Sequence, residues 1–221
     1  MELKGKKIMF LGDSITEGYS PSRPEEVYWN VLAENTGAIC KNFGISSTRI
    51  ARQQHPSEDP AATWDHQHFS TRVELMDEDA DVVVVFGGTN DFGHGDAPFG
   101  GFDDRTLDTF YGAVHCLCVQ LLERYPGKEI VFLTPLHRTT EDIPCAAQND
   151  GRVPRRLVDY RNAIIEVANY YSLPVLDLYA VSGIQPRVPI IQETMMPDGL
   201  HPNTLGHARI AARLEGFLRA L

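Results

Sequence analysis

The hydrophobic positions of this chain follow two rhythms. Five short apolar runs, residues 7–11, 39–43, 82–86, 129–134 and 174–178, read as strands buried on both faces. The run VVVVF at residues 82–86 is the clearest, being β-branched and continuous rather than alternating. Between the runs, apolar residues recur at helical spacing. Leu107, Phe110, Val114, Leu117 and Leu121 form one stripe, and Val153, Leu157, Tyr160, Ile164, Val167 and Tyr171 a second. Ile210, Leu214, Phe217, Leu218 and Leu221 form a third, near the C-terminus. Weaker helical patterns cover residues 25–35 and 70–76. Strands alternating with helices predict an α/β protein with a parallel sheet covered on both sides. In such folds ligands bind beyond the carboxyl ends of the strands. Three long polar or irregular stretches, residues 53–69, 93–104 and 137–152, are of the kind that often contributes to a site.

Composition narrows the function class. The 221 residues fit one domain, expected to span 1–221, which can bury a full core without disulfide or metal staples. The net charge of −10 argues against nucleic acid or an anionic membrane as partner, since both require clustered Lys and Arg. The densest basic cluster, RVPRR from Arg152 to Arg156, reads as a solvated loop and helix start. Cys40, Cys116, Cys118 and Cys145 read as reduced, mostly buried thiols. No signal peptide is visible, and no apolar stretch approaches the ~20 residues that span a bilayer, so a cytoplasmic location is expected.

Polar clusters stand at the predicted strand ends. Gly12-Asp13-Ser14 follows the first run, Asn42-Phe43-Gly44 closes the second, and Gly87-Gly88-Thr89-Asn90-Asp91 follows the third. Asp198-Gly199-Leu200-His201-Pro202 follows the fifth. The first cluster, within KKIMFLGDSITEGYS, admits two readings. A phosphate loop needs G-x-x-x-x-G-K-[ST], but Gly12 to Gly18 is one residue too long and Tyr19 stands in place of the lysine. The dinucleotide pattern G-x-G-x-x-G is also absent, which leaves only an anion held by the turn's backbone.

The second reading makes Ser14 a nucleophile. A serine hydroxyl needs a base, usually a histidine oriented by a carboxylate. Asp198 and His201, three residues apart, can supply both. The oxyanion formed by attack needs donors already in place. The N–H groups of Ser14 and Gly44 and the side-chain amide of Asn90 would come from three strand ends, with Asp13 and Asp91 as supporting residues. Taken singly, Ser14 and Asn90 read as caps or turn residues, and Gly44 as a tight turn. Together and in order they favour catalysis.

These four blocks resemble the SGNH hydrolases, the GDSL-type esterases and lipases, over nearly the whole chain. Gly12-Asp13-Ser14 matches the first block, Gly44 the second, Gly88-Thr89-Asn90-Asp91 the third and Asp198-Gly199-Leu200-His201 the last. Ile15 stands where the name-giving motif has leucine. The resemblance implies a flavodoxin-like three-layer α/β/α sandwich, with a five-stranded parallel sheet of order 2-1-3-4-5 and no metal or other cofactor. It implies an acyl-enzyme on Ser14, with Asp198 and His201 completing the triad and a small-molecule ester as substrate.

Loop composition bears on the ester. FGHGDAPFGGFDD and HRTTEDIPCAAQNDGR are rich in Gly, Asp, His and Arg, which leans towards a short acyl group on a polar alcohol such as a carbohydrate. Longer acyl chains, as in lysophospholipases or thioesterases, and acyl transfer are the alternatives, with an inactive binding protein on the same fold behind them. Phe92, Phe99 and Phe102 read either as a stacking surface or as pins for their loop. A metal site at His66, His68 and His94 lacks recognisable ligand spacing, and His207 has no carboxylate placed to make it a rival to His201. Oligomeric state is not legible.

Overall fold

The structure is a computed structural model and describes residues 1–144 and 153–221. Five strands, β1 (Lys7–Gly12), β2 (Ile39–Gly44), β3 (Val82–Phe86), β4 (Glu129–Leu133) and β5 (Val175–Leu176), form one parallel sheet in the order β2-β1-β3-β4-β5. The helices in chain order are α1 (Ser14–Glu17), α2 (Tyr28–Thr36), α3 (Ser70–Val73), α4 (Thr89–His94) and α5 (Phe110–Arg124). They continue as α6 (Leu157–Tyr170), α7 (Leu178–Val181), α8 (Pro189–Met195) and α9 (Thr204–Ala220). This is the three-layer α/β/α sandwich.

Period-two alternation sends each strand's side chains to two cores. Met9, Leu11, Val83, Val85 and Phe132 pack with α3, α5 and α6 on one face. Ile8, Phe10, Val82, Val84 and Leu133 pack with α2 and α9 on the other. Double burial explains why β3 is apolar at every position. The expectation of burial on both faces fails for β2. It is an edge strand with Ile39 more than half exposed, and Lys41 and Asn42 within it were the warning. The fifth strand is shorter than the apolar run that suggested it.

Register puts the chemistry level. Gly12 lies beside Gly44 on one side and Phe86 on the other, so three polar strand ends emerge together. Cys118 is buried, Cys40 and Cys116 are partly so, and all three are free thiols. Cys145 and Arg152 lie outside the described residues. Among the described residues, no helix is long and apolar enough to cross a membrane.

Candidate active site

Gly12 ends β1, and one turn of helix takes its place. The Asp13 carboxylate caps α1 by accepting from Ile15 N–H at 3.0 Å. The turn closes at Gly18, whose φ of +104° suits glycine, and the N–H groups of Gly18 and Tyr19 both donate to Ser14 O. Ser14 therefore sits at the first helical position, buried, with its hydroxyl held at the carboxyl edge of the sheet.

Ser14 Oγ lies 3.1 Å from His201 Nε2, and His201 Nδ1 lies 2.6 Å from Asp198 Oδ2. The other oxygen of Asp198 accepts the backbone N–H groups of Leu200 (2.9 Å) and His201 (2.7 Å). Burial pushes the Asp198 carboxyl up, but the bonds from His201 and Leu200 outweigh it and hold the group below its ordinary value. An ionised Asp198 accepting from Nδ1–H leaves Nε2 as the acceptor that faces Ser14. The Tyr19 ring packs beside this imidazole, with centroids 4.5 Å apart, and is itself 58% exposed.

The three expected oxyanion donors are differently placed. Ser14 N–H belongs to the first turn of α1, where no intrahelical acceptor exists. Asn90 Nδ2 donates to Thr48 O at 3.0 Å, which uses one of its two hydrogens. Gly44 N–H donates to Asn42 Oδ1 at 2.7 Å, a local turn that occupies it. The glycine is needed for packing as well. A Cβ at Gly44 would lie 2.3 Å from Glu17 N and 2.9 Å from Asp13 O, so a side chain would push β2 off α1.

Two buried carboxylates brace these loops. Asp91 accepts from Ile50 N (3.0 Å) and Ala51 N (2.9 Å), tying the loop after β2 to the start of α4. Burial raises it to about 6, against those two bonds. Burial raises Asp13 to about 7, against the Ile15 N–H bond and the charge of Arg72.

The family described as GDSL-like Lipase/Acylhydrolase matches residues 10–209, which span every feature of this site. The chain belongs to this GDSL-like family. It is accordingly an ester-hydrolysing enzyme. A crystal structure of a protein from Lactobacillus plantarum is similar at 30% identity and TM-score 0.82, covering 99% of this chain and 98% of that one. A carbohydrate acetylesterase family member from Sinorhizobium meliloti is similar in fold at 20% identity and TM-score 0.66, covering 97% and 98%. The M. smegmatis aryl esterase is likewise similar in fold at 20% identity and TM-score 0.68, covering 98% and 100%. No curated protein matches the chain.

Within this GDSL-like site Arg72 was missed from sequence. Arg72, on α3, is buried, and its guanidinium donates to Gly12 O, Phe43 O and Thr48 Oγ1. Its signal was available: Phe69, Arg72, Val73 and Met76 share one helical face, so the arginine had to turn inward. His207 is fully buried, stacks on Tyr28 and accepts its N–H at 3.1 Å through Nδ1. Burial lowers it to about 4. It continues the α9 stripe one turn back from Ile210, where a neutral histidine bonded through Nδ1 fits.

The aromatic residues of the 93–104 loop serve packing. Phe92 is a core residue, Phe99 packs on Phe110, Tyr111 and Tyr160, and Phe102 packs on Tyr111 and His115. His66 bonds Ser57 O, and His94 bonds the buried Arg49, which also pairs with Asp65. Among the described residues, no group of three His, Cys, Asp or Glu is arranged to hold a metal ion.

Proposed function

We propose that this chain is a serine esterase that works through an acyl-enzyme on Ser14, with short acyl esters of a polar alcohol such as a carbohydrate as substrates. The carrying observation is the chain of contacts Ser14 Oγ to His201 Nε2 (3.1 Å) and His201 Nδ1 to Asp198 (2.6 Å). His201 takes the Ser14 proton as the oxygen attacks the ester carbonyl. Asp198 holds the tautomer and stabilises the imidazolium. Ser14 N–H and the second Asn90 hydrogen receive the oxyanion, and Gly44 N–H joins them when Asn42 releases it. His201 then protonates the leaving alcohol, and water, activated the same way, frees the acyl group.

Two features support the polar, ring-bearing alcohol. The polar stretch that begins at His137 lies beside the Asp198–His201 turn, where Thr139 N–H donates to Gly199 O at 3.0 Å. The exposed Tyr19 ring lies against the imidazole that must protonate the leaving group, and its free face suits a ring stacked there.

A fluorophosphonate probe is expected to label wild type at Ser14 and to leave Ser14→Ala unlabelled. Equal labelling of both, or none of wild type, ends the serine-esterase reading. Rates on p-nitrophenyl acetate are expected to exceed those on the octanoate, and the reverse order removes the short-acyl assignment.

A further inference from the structure

The segments that carry or aim the proposed oxyanion donors share one buried cation: Arg72 bonds the ends of β1 and β2 and the loop after β2, and that loop in turn holds Asn90. Arg72 is 2% exposed and lies over the Phe69 ring, 4.8 Å from its centroid. Its Nη1 donates to Gly12 O at 2.7 Å and to Phe43 O at 2.5 Å, and its Nη2 donates to Thr48 Oγ1 at 2.9 Å. Each acceptor sits next to a donor of the site. Gly12 is the last residue before the Asp13-Ser14 turn. Phe43 C=O and Gly44 N–H belong to one planar trans peptide, so fixing the oxygen fixes the opposite direction of the N–H. Thr48 O receives the Asn90 amide, which aims that amide's remaining hydrogen.

We infer that Arg72 is a positioning residue that sets the mutual geometry of the oxyanion donors from Ser14, Gly44 and Asn90. This rests on the esterase reading of the same site. A planar fork reaches three acceptors at once, on β1, on β2 and on the loop that follows β2, and a lysine ammonium on a single flexible stem does not reproduce it. None of the three hydrogen-bond acceptors is a carboxylate, and the guanidinium lies buried behind the turn that bears the proposed nucleophile, with the Asp13 and Glu17 carboxyls near enough to attract it. That arrangement is a costly way to gain stability, and a useful one where negative charge develops.

Arg72→Lys and Thr48→Val test the assignment, the second removing the hydroxyl that accepts from Nη2 and itself donates to Ile45 O at 2.7 Å. Arg72→Lys is expected to lower kcat on p-nitrophenyl acetate about 10–100-fold, with KM within about threefold of wild type. Thr48→Val is expected to lower kcat roughly 3–10-fold, again with KM unchanged, and to have no effect when Asn90 is already alanine. A merely structural role would shift the melting temperature and leave kcat alone. Unchanged kcat in folded Arg72→Lys overturns the inference. If Arg72→Lys does not fold, Thr48→Val decides: a loss that disappears in Asn90→Ala supports the inference. No loss, or the same loss in Asn90→Ala, overturns it. Wild type that no fluorophosphonate labels would instead remove the esterase reading, and this inference with it.

Discussion

The two halves of the site are built in different ways. The half that holds the proposed nucleophile, Ser14, is assembled from distant chain segments and buried. Asp13, Ser14, Thr48, Arg72, Asn90 and Asp91 are all buried, and their bonds run between β1, β2 and the loop after it, α3 and α4. The half that holds the proposed base, His201, is local and open. Asp198 has a side chain 48% exposed, and its bonds go to Leu200 and His201, inside one four-residue turn. Charge stabilisation requires donors that do not reorganise, which burial and cross-linking provide. Proton delivery to a departing alcohol requires contact with the substrate, which an exposed turn allows. Changes in the open half should therefore cost rate alone, and changes in the buried half both rate and stability.

The largest expected effect tests the open half. Asp198→Ala is expected to lower kcat about 10³–10⁴-fold on p-nitrophenyl acetate, because His201 loses its tautomer and its counter-charge. Its urea midpoint should stay near wild type, and a large loss of stability would place Asp198 in the buried class instead. Asn90→Ala comes next, with kcat about 10²–10³-fold lower. It should also lose about 1–3 kcal/mol of stability, since Thr48 O is left without its donor. Full stability in that variant would break the contrast.

A third effect appears only with pH. His207, in the helix that follows the open turn, is fully buried and accepts Tyr28 N–H, so it folds neutral with its value lowered to about 4. Between about 4 and 6.5 the unfolded chain binds the extra proton and the folded one does not. Its contribution, about 3 kcal/mol at most, is therefore complete above pH 6.5 and is lost as pH falls towards 4. Asp13, raised to about 7, acts in the opposite sense, with stability lost as pH rises through that value. The useful reading is thus the difference between His207→Asn and wild type. Urea titrations are expected to show that difference narrowing as pH falls from 7 to 4, and parallel curves would reject the buried neutral histidine.

The smallest effect concerns packing. Gly44→Ala places a Cβ 2.3 Å from backbone of α1 and is expected to cost about 1–3 kcal/mol in a urea melt, with activity falling alongside. Retained stability would mean that β2 can move away from α1, and would weaken the case for a rigid nucleophile half.

Most of this arrangement was legible in the chain because it is local. β3 announces itself by five consecutive buried apolar residues. Asp198 and His201 are three apart and meet within one turn. Ser14 follows the glycine that ends a strand. Arg72 was missed because a polar residue on an apolar helical face looks like an interruption, until the partners at Gly12, Phe43 and Thr48 are seen. The loop phenylalanines were ambiguous for the same reason: nothing in their own segment names Phe110 or Tyr160 as their neighbours.

The sequence by itself determined the alternating strands and helices, the family, and the residue types able to attack, accept a proton and donate to an oxyanion. Periodicity and short motifs are properties of neighbouring residues. Only the tertiary structure decided that β2 lies at the edge, and that one buried arginine joins the ends of β1 and β2 and the loop that follows. Those features depend on which segments the sheet order brings side by side, and hydrogen bonds between segments tens of residues apart leave no periodic trace in the chain.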